Sequence, residues 1–281
     1  MKASDFAARR ATFRRLHQSG CFVIPNPWDI GSARYLRSLG FKALATTSGG
    51  FAFSRGLADG AVSRDMMLTH IAEIVASVDL PVNADFEHGY ADDPEAVAHN
   101  VGLCVKTGVA GLSIEDSTGN RDQPLYDLPL AVDRIRAARS AIDASGADVL
   151  LTARAECFLT GHPDPLRESI RRLQAYCEAG ADVLYAPGPT GRGDIEAILS
   201  AVAPKPVNIL LSSNTGLSIA DLAALGARRI SVGSGLNCAA WTGFIRAAKE
   251  IAEQGSTTAF EDITPYAELN NFFEQDHKKR P

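Results

Sequence analysis

The sequence lacks several features that define common protein classes. Its five cysteines are scattered and never form a Cys-x-x-Cys pair, which argues against a disulfide framework. No cluster of His and Cys has the spacing of soft-metal ligands. Residues 1–18 are charged and contain no long apolar stretch, so they form neither a signal peptide nor a membrane anchor. We therefore expect a cytoplasmic protein with reduced thiols.

An excess of positive charge is also missing. The chain has 28 Lys and Arg residues against 33 Asp and Glu residues, which gives a formal net charge of -5. Neither nucleic acid nor a membrane surface is expected as a partner at this balance. The signatures G-x-x-x-x-G-K-[ST] and G-x-S-x-G are absent as well. Small anionic substrates stay compatible with the composition, because local residues set the field inside a cleft.

Eight short apolar runs recur along the chain, and amphipathic segments lie between them. Runs of this length between helical segments are typical of strands in a parallel sheet. We predict strands at 21–25, 42–47, 81–85, 109–115, 148–154, 182–186, 206–211 and 229–233. Apolar residues at intervals of three and four predict helices at 30–39, 65–78, 94–107, 129–144, 164–179, 192–202 and 218–225.

This alternation predicts the fold class. Eight β/α units are the number that closes a (β/α)8 TIM-type barrel, and a doubly wound open sheet is the alternative. No linker divides the units, so residues 1–255 are expected to form one α/β barrel domain. Residues 256–281 break the rhythm and carry an apolar stripe. They are predicted to form a C-terminal helical arm that packs on the barrel or on a neighbouring subunit.

Charged side chains stand at the carboxyl ends of three neighbouring strands, where barrels of this class gather their active sites. Because side chains alternate along a strand, Asp85, Glu115 and Arg154 are predicted to face one space. Carboxylate oxygens suit a hard cation, so Asp85 and Glu115, with Glu87 as a third ligand, predict a site for Mg²⁺ or Mn²⁺. The planar fork of Arg154 suits a carboxylate or phosphonate. The alternative is a buried ionic network that only stabilises the barrel.

Two further segments carry candidate binding or catalytic groups. Ser48, Gly49 and Gly50 follow the second strand, and backbone N–H groups at such a turn are suited to an oxyanion. An ordinary tight turn is the alternative. His88, in the loop after the third strand, is a candidate acid or base, with a solvated loop histidine as the alternative.

These residues resemble the motifs of the isocitrate lyase/phosphoenolpyruvate mutase superfamily. The resemblance spans roughly residues 20 to 250 and is specific only when its motifs are taken together. They are Asn26-Pro-Trp-Asp29, Thr47-Ser-Gly-Gly50, Pro81-Val-Asn-Ala-Asp85, Gly111-Leu-Ser-Ile-Glu-Asp116, Thr152-Ala-Arg-Ala-Glu156 and Ala179-Gly-Ala-Asp182.

The resemblance implies an α/β barrel that assembles as a homo-oligomer, a dimer or a tetramer with the last helix exchanged between subunits. It implies Mg²⁺ held through Asp85 and Glu115. It also implies an α-oxo or α-hydroxy carboxylate bound between the metal, the Ser48-Gly49 backbone and Arg154. Family reactions share an enolate that the metal stabilises, which is Lewis-acid polarisation combined with an oxyanion site.

The remaining site predictions follow the same resemblance. Glu156 and Asn208 are expected to orient the groups that contact metal and substrate, with Asn208 among the substrate-binding residues. Thr118 and Asn120 are expected to lie on a mobile loop that closes the site. We count Arg154, Glu156, Thr118, Asn120 and His88 as the catalytic candidates.

The loop after the fourth strand departs from the family pattern. Lyases of the family carry a Lys-Lys-Cys-Gly-His-like sequence there, whereas residues 117–124 contain neither cysteine nor histidine. Isocitrate or methylisocitrate cleavage is therefore not expected. We predict a Mg²⁺-dependent carbon–carbon lyase or decarboxylase acting on a small α-oxo dicarboxylate. The alternatives are phosphonopyruvate-type P–C chemistry and a binding protein with little catalysis.

Overall fold

The computed structural model describes residues 3–279 and confirms the predicted barrel architecture. Eight parallel strands lie in the order β1-β8-β7-β6-β5-β4-β3-β2, with helices between them. Each strand lies inside one of the predicted apolar runs. They are β1 (Phe22–Ile24), β2 (Leu44–Ala45), β3 (Val82–Asp85), β4 (Gly111–Glu115), β5 (Leu150–Arg154), β6 (Val183–Tyr185), β7 (Val207–Leu210) and β8 (Arg229–Ser231).

Hydrogen bonds bring the two ends of the strand order, β1 and β2, together. The Ala45 N–H donates to the Pro25 carbonyl at 3.1 Å. Asn26, directly after β1, donates from Nδ2 to the Thr46 carbonyl at 3.0 Å. Its Oδ1 accepts the Val232 and Gly233 N–H groups, each at 3.0 Å. The Asn26 side chain thus joins the loops at the carboxyl ends of β1, β2 and β8. Asn26 in the motif Asn26-Pro-Trp-Asp29 therefore has a structural role.

The described chain contains seven helices that match the predicted ones to within one residue at each end, a further helix, α11, inside the predicted C-terminal helical arm, and three that were not predicted. The matching helices are α2 (Ile30–Ser38), α4 (Arg64–Ser77), α5 (Pro94–Lys106), α6 (Leu128–Ala144), α7 (Pro165–Glu178), α8 (Arg192–Ala201) and α9 (Ile219–Ala224). The additional helices are α1 (Ala3–Leu16), α3 (Ser48–Ser54), α10 (Gly235–Gln254) and α11 (Tyr266–Lys278).

Helix α1 covers the amino-terminal end of the barrel. Phe13 is fully buried there in an apolar cluster with Leu150 and Val183 from β5 and β6. The contact is close, because a Cβ atom on Gly111 would lie 2.7 Å from the Phe13 ring. Arg10 fastens the helix by donating to the Val109 carbonyl at 2.9 Å. The amino-terminal end of the barrel is therefore closed by apolar packing, and the charged residues lie toward the carboxyl ends of the strands.

The chain divides into two compact units, one that extends to Gly235 and a second that begins at Leu236. The predicted boundary lay at residue 255, after the long helix α10. The second unit contains α10, a 3₁₀ turn at Thr258–Asp262, and α11. Packing of the predicted arm, residues 256–281, on the barrel or on another subunit stays a prediction. Across residues 3–279, no helix combines the length and apolarity needed to cross a lipid bilayer.

Candidate active site

The predicted cluster of charged residues forms at the carboxyl ends of β3, β4 and β5. Glu115 and Arg154 are register partners on adjacent strands. The Arg154 Nη1 atom lies 3.2 Å from Glu115 Oε2 and 3.6 Å from Asp85 Oδ1. Its Nε and Nη2 atoms contact the Glu156 carboxylate, with Nη2 at 3.3 Å from Oε2. One guanidinium therefore faces three carboxylates.

One guanidinium cannot neutralise three carboxylates, so the cluster carries an excess of negative charge. Burial, with Glu156, Asp85 and Glu87 nearby, raises the pKa of Glu115 well above its ordinary value in spite of Arg154. Burial likewise raises the pKa of Glu87 to about 7, although Tyr90 donates a hydrogen bond to it. Such shifts mean that the ionised forms lack compensation in the protein alone. The site is therefore electrostatically suited to a cation.

The donor set fits a hydrated hard cation. Asp85, Glu115 and Glu87 offer only oxygen, and Mg²⁺ typically binds through one or two carboxylates while it keeps several waters. Among residues 3–279, no three His, Cys, Asp or Glu side chains converge closely enough to form a metal cage made of protein alone. A cation held here would therefore complete its coordination with water or with ligand oxygen atoms.

Asp85 is held by the segment after β2. Its Oδ2 accepts the Ser48 N–H at 2.9 Å, and its own N–H donates to Thr46 Oγ1 at 2.9 Å. Thr47 caps helix α3 by accepting the Gly50 N–H at 3.2 Å. Within the described chain, the N–H groups of Ser48 and Gly50 thus donate hydrogen bonds to protein acceptors. Binding of substrate by Ser48, Gly49 and Gly50 stays a prediction.

Asp59 belongs to this region and was missed from the sequence. A Cβ atom on Gly49 would lie 3.1 Å from the Asp59 carboxylate, so a larger residue there requires the Asp59 side chain to shift slightly. Burial and the nearby Asp85 raise the pKa of Asp59, and a hydrogen bond from Ser48 opposes the shift. Because Asp59 follows no strand, strand-end charge patterns gave no signal for it.

The loop after β3 has an unusual backbone. Glu87 and Tyr90 adopt left-handed conformations, with φ of 46° and 58°, which are uncommon for residues other than glycine. The Tyr90 hydroxyl donates to Glu87 Oε1 at 2.8 Å, and the Glu87 carbonyl accepts the Glu115 N–H at 3.0 Å. These contacts hold the strained loop beside β4 and keep Glu87 buried.

His88 lies in the same loop but has different charged neighbours. Burial lowers its pKa, and the nearby charges that act on it are those of Arg134 and Asp92. Arg134 is almost fully buried and donates to the His88 and Ala91 carbonyls. The loop is therefore fastened to α6 through its backbone. A catalytic role of His88 stays a prediction.

Thr118 and Asn120 lie in a loop that is bonded to itself. Thr118 Oγ1 accepts the Asn120 N–H at 2.9 Å, and the Thr118 N–H donates to the Pro124 carbonyl at 3.0 Å. Asn120 also lines a separate cavity of about 290 Å³, together with Leu159 and Thr160. The structure thus places Asn120 at a neighbouring cavity and bonds Thr118 within its own loop, and the predicted role of both residues in closure stays a prediction.

Asp116 fixes the position of Glu156. Its Oδ1 accepts the Glu156 N–H at 2.8 Å. Its Oδ2 accepts hydrogen bonds from Arg172 at 3.0 Å and from the Tyr176 hydroxyl at 2.5 Å. Asp116, Arg172 and Tyr176 are all buried. Helix α7 is in this way bonded to the ends of β4 and β5, so Asp116 positions the residue that contacts the Arg154 guanidinium.

Below the charged cluster, the barrel interior contains a second set of polar side chains. Asn208 donates to Ser231 Oγ at 2.9 Å and accepts from Arg229 Nε at 2.8 Å. Arg229 also donates from Nη2 to Thr152 Oγ1 at 3.1 Å. Asn208 thus orients Arg229, a buried arginine that the sequence analysis did not single out. Asn208 also forms part of the inner wall of the site. Arg229, Asn208, Asp85 and Arg154 line one small cavity of about 50 Å³.

Comparison with known proteins identifies the family of this chain. The family model described as phosphoenolpyruvate phosphomutase matches residues 13–252. A crystal structure from Burkholderia cenocepacia J2315, described as that of a lyase/mutase, is 47% identical, covers 96% of this chain and 98% of its own, and superposes with a TM-score of 0.93.

Two curated relatives have similar coverage. A Mycobacterium tuberculosis protein without an assigned activity is 34% identical over 92% of this chain and 94% of its own length. The oxaloacetate decarboxylase of Paraburkholderia xenovorans is 29% identical over 80% of this chain and 75% of its own length.

Proposed function

Since this chain belongs to the isocitrate lyase/phosphoenolpyruvate mutase superfamily, we propose that it is a Mg²⁺-dependent carbon–carbon lyase or decarboxylase for a small α-oxo dicarboxylate. The observation that carries the proposal is the Arg154 cluster, in which one guanidinium faces Asp85, Glu115 and Glu156. Similarity to an oxaloacetate decarboxylase supports the substrate class.

Asp85 and Glu115 are the residues that would hold the cation, and Glu87 as a third ligand stays a prediction. A bound Mg²⁺ supplies Lewis-acid polarisation of the substrate oxo group and stabilises the negative charge that develops there. It would also relieve the shortage of positive charge beside Glu87 and Glu115, whose pKa values are raised by burial and by neighbouring carboxylates.

Arg154 binds and orients the substrate carboxylate in this proposal. The Arg154 guanidinium contacts Glu115 and Glu156. Asp85 and Glu115, if they held a cation, would attract the guanidinium less and would leave donors of Arg154 for a substrate carboxylate. Glu156 retains the remaining contact and fixes the plane of the fork, because Asp116 holds its backbone. Metal and substrate are thereby expected to bind cooperatively.

Protonation of the product carbon is assigned to water. Residues 117–124 contain neither cysteine nor histidine, so this loop supplies no side-chain acid of the lyase kind. A decarboxylation needs no positioned acid at the bond that breaks, because the leaving group is carbon dioxide. This feature favours decarboxylation over cleavage of a hydroxylated tricarboxylate.

A panel of α-oxo acids and phosphonates, incubated with Mg²⁺ and followed by mass spectrometry of the products, tests the proposal. We expect turnover of an α-oxo dicarboxylate that stops when Mg²⁺ is chelated and in Asp85→Ala. Asp133→Ala, an exposed aspartate on α6, is the matched control. Turnover of phosphonopyruvate alone, or Mg²⁺-dependent binding without any product, would overturn it.

We also propose that the chain forms a homo-oligomer through its second unit. Large apolar side chains are exposed there, among them Phe244 at 61%, Ile263 at 56% and Tyr266 at 84%. Apolar exposure of this extent is typical of interaction surfaces. Light scattering after gel filtration should give a dimer or tetramer, which Phe244→Ser with Tyr266→Ser dissociates. Leu39→Ser, at an equally exposed position on the barrel, should leave it intact; a wild-type monomer would refute the proposal.

A further inference from the structure

Arg229 is a buried cation without an anionic partner. The residue is 3% exposed, and it begins β8 with its side chain directed into the barrel. Its Nε and Nη2 atoms donate to the neutral acceptors Asn208 Oδ1 and Thr152 Oγ1. Its Nη1 atom has no partner among the described residues. Every other strongly buried arginine discussed above donates to a carboxylate or to backbone carbonyls.

The charge is retained in this position. Burial lowers the pKa of Arg229 to about 10, which leaves the guanidinium protonated at neutral pH. An uncompensated buried charge is expensive, and proteins normally pair it with an opposite charge or with a ligand. The side chain that accepts the hydrogen bond from Arg229 Nε, Asn208, is a neutral amide. The protein therefore maintains a positive charge that nothing in the described chain neutralises.

This charge faces the same cavity as the proposed active site. Arg154, Tyr185, Asn208 and Arg229 are successive register partners across β5, β6, β7 and β8, so they form one row along the inner wall. Arg229 reaches Thr152, which precedes Arg154 by two residues on the same face of β5. Two residues along a strand span about 7 Å, so the two guanidinium groups lie about one side-chain layer apart.

The cavity is therefore polarised along the barrel axis. Asp85 is the carboxylate in its lining and lies beside Arg154 at the carboxyl ends of the strands, whereas Arg229 lies at the start of β8. A second unpartnered atom, Asn83 Oδ1, lies in the wall of the same cavity, where an amide can turn either its oxygen or its NH₂ toward a ligand. A ligand with negative charge at its inner end matches this arrangement.

We propose that Arg229 forms an anion-binding subsite at the floor of the cavity, which takes the second anionic group of the substrate, a carboxylate or a phosphonate. This assignment rests on the proposed function for the identity of the substrate, but the subsite itself follows from the unpaired guanidinium. It predicts selection of dianionic over monoanionic α-oxo acids. Thr152 and Asn208 act as positioning residues, since they hold two edges of the guanidinium and leave the Nη1 edge for the ligand.

Matched non-reacting probes test this directly. Malonate and its monoamide, malonamate, have almost the same shape and differ by one negative charge. Phosphonoacetate replaces one carboxylate by a phosphonate, which separates the two candidate groups. With the full-length wild-type protein and Mg²⁺, calorimetry should give at least about ten-fold tighter binding of malonate or phosphonoacetate than of malonamate. In Arg229→Met this preference should fall to about two-fold or less, and Arg229→Lys should restore part of it.

Asn208→Asp provides a second variant in case Arg229→Met fails to fold. It places a carboxylate 2.8 Å from Arg229 Nε, at the position of the present amide oxygen. We expect it to raise the melting temperature, because the buried charge gains a partner, and to abolish the preference for malonate. If both variants keep the wild-type preference, or lose malonate and malonamate affinity equally, Arg229 is structural and the subsite is refuted.

The proposed function fails independently of this outcome. If the wild-type protein prefers malonate over malonamate but turns over no α-oxo acid, the Arg229 subsite is supported and the lyase proposal is refuted. If wild type and Arg229→Met decarboxylate an α-oxo dicarboxylate with equal efficiency, the lyase proposal is supported and the Arg229 subsite is refuted.

Discussion

The Arg154 guanidinium lies 3.2 Å from the Glu115 carboxylate, and the two residues are register partners on neighbouring strands. The pairing is thus fixed by the sheet itself and depends on no mobile loop. Because Asp85 and Glu156 contact the same guanidinium, the protein stores more negative than positive charge at this position. Several predictions about metal, substrate and stability depend on that imbalance.

Replacement of Arg154 by methionine should affect substrate binding and stability together. We expect kcat/KM to fall at least about 100-fold, the loss that follows removal of one partner from a buried, hydrogen-bonded charge pair. The metal-free melting temperature should fall as well, because three carboxylates lose their counter-charge, and Mg²⁺ should recover most of the loss. Arg136→Met, at an exposed ion pair on α6, serves as the control for both measurements. Unchanged kinetics would remove Arg154 from the mechanism.

Glu115→Gln should have opposite effects on the metal-free and the metal-bound protein. The pKa of Glu115 is raised by burial and by neighbouring carboxylates, so its charge destabilises the metal-free fold at neutral pH. The variant should therefore melt higher than wild type in a chelator. In Mg²⁺ the order should reverse, because a ligand at 100 times its Kd stabilises a protein by about 2.7 kcal/mol. Differential scanning fluorimetry over a Mg²⁺ series measures both; equal Mg²⁺ responses would exclude Glu115 as a ligand.

Asp116→Asn should destabilise the fold by about 2 kcal/mol, since it removes a buried charged acceptor while Arg172 keeps its second carboxylate, Glu168, at 2.8 Å. The asparagine amide keeps one oxygen, so an NH₂ group faces either the Glu156 N–H or the donors of Arg172 and Tyr176. Urea unfolding gives the free energy. The exposed Asp133→Asn should change it by less than about 1 kcal/mol. A loss of activity without a loss of stability would instead place Asp116 in contact with substrate.

Two buried histidines should make stability depend on pH below neutrality. Burial lowers the pKa of His17 to about 3 and that of His70 to about 4, from an ordinary value of 6.5. Below pH 6.5 the unfolded chain binds protons that the folded protein does not, so stability falls as the pH falls from 6.5 toward 4. Each histidine contributes at most about 1.4 kcal/mol per pH unit in this window.

The free energy of unfolding, measured by urea at several pH values, tests this dependence. His70→Leu should have a shallower slope between pH 4 and 6.5 than wild type. The exposed His99→Gln should follow the wild-type curve. Parallel slopes for wild type and His70→Leu would show that His70 accepts a proton in the folded protein.

The barrel and its charged cluster followed from the sequence because both depend on local periodicity. Strand parity placed Asp85, Glu115 and Arg154 on one face, and parallel strands bring equivalent ends together. The departures have physical causes. Two glycines disfavour a helix by about 1 kcal/mol each, yet α3 forms at Ser48–Ser54, where Thr47 caps it and its first turns are buried.

Arg229 shows the limit of the same reasoning. Strand parity places Arg229 on the same face as Ser231, but its hydrogen bonds to Asn208 and Thr152 depend on partners across the barrel that the sequence does not reveal. A charge at the amino-terminal part of a strand also contradicts the pattern that located the other residues. Thr118 and Asn120 illustrate the second limit, because the distance from a loop to the site is invisible in a sequence.

The position of Phe13 beneath the strands has a kinetic consequence. With the amino-terminal end of the barrel packed by α1, a molecule seated at Arg229 is expected to leave toward the carboxyl ends of the strands, where Arg154 lies. Fragments of a cleaved substrate must then depart in sequence, the one nearer the mouth ahead of the one at the floor. The last product to leave should therefore inhibit competitively, and the first should not.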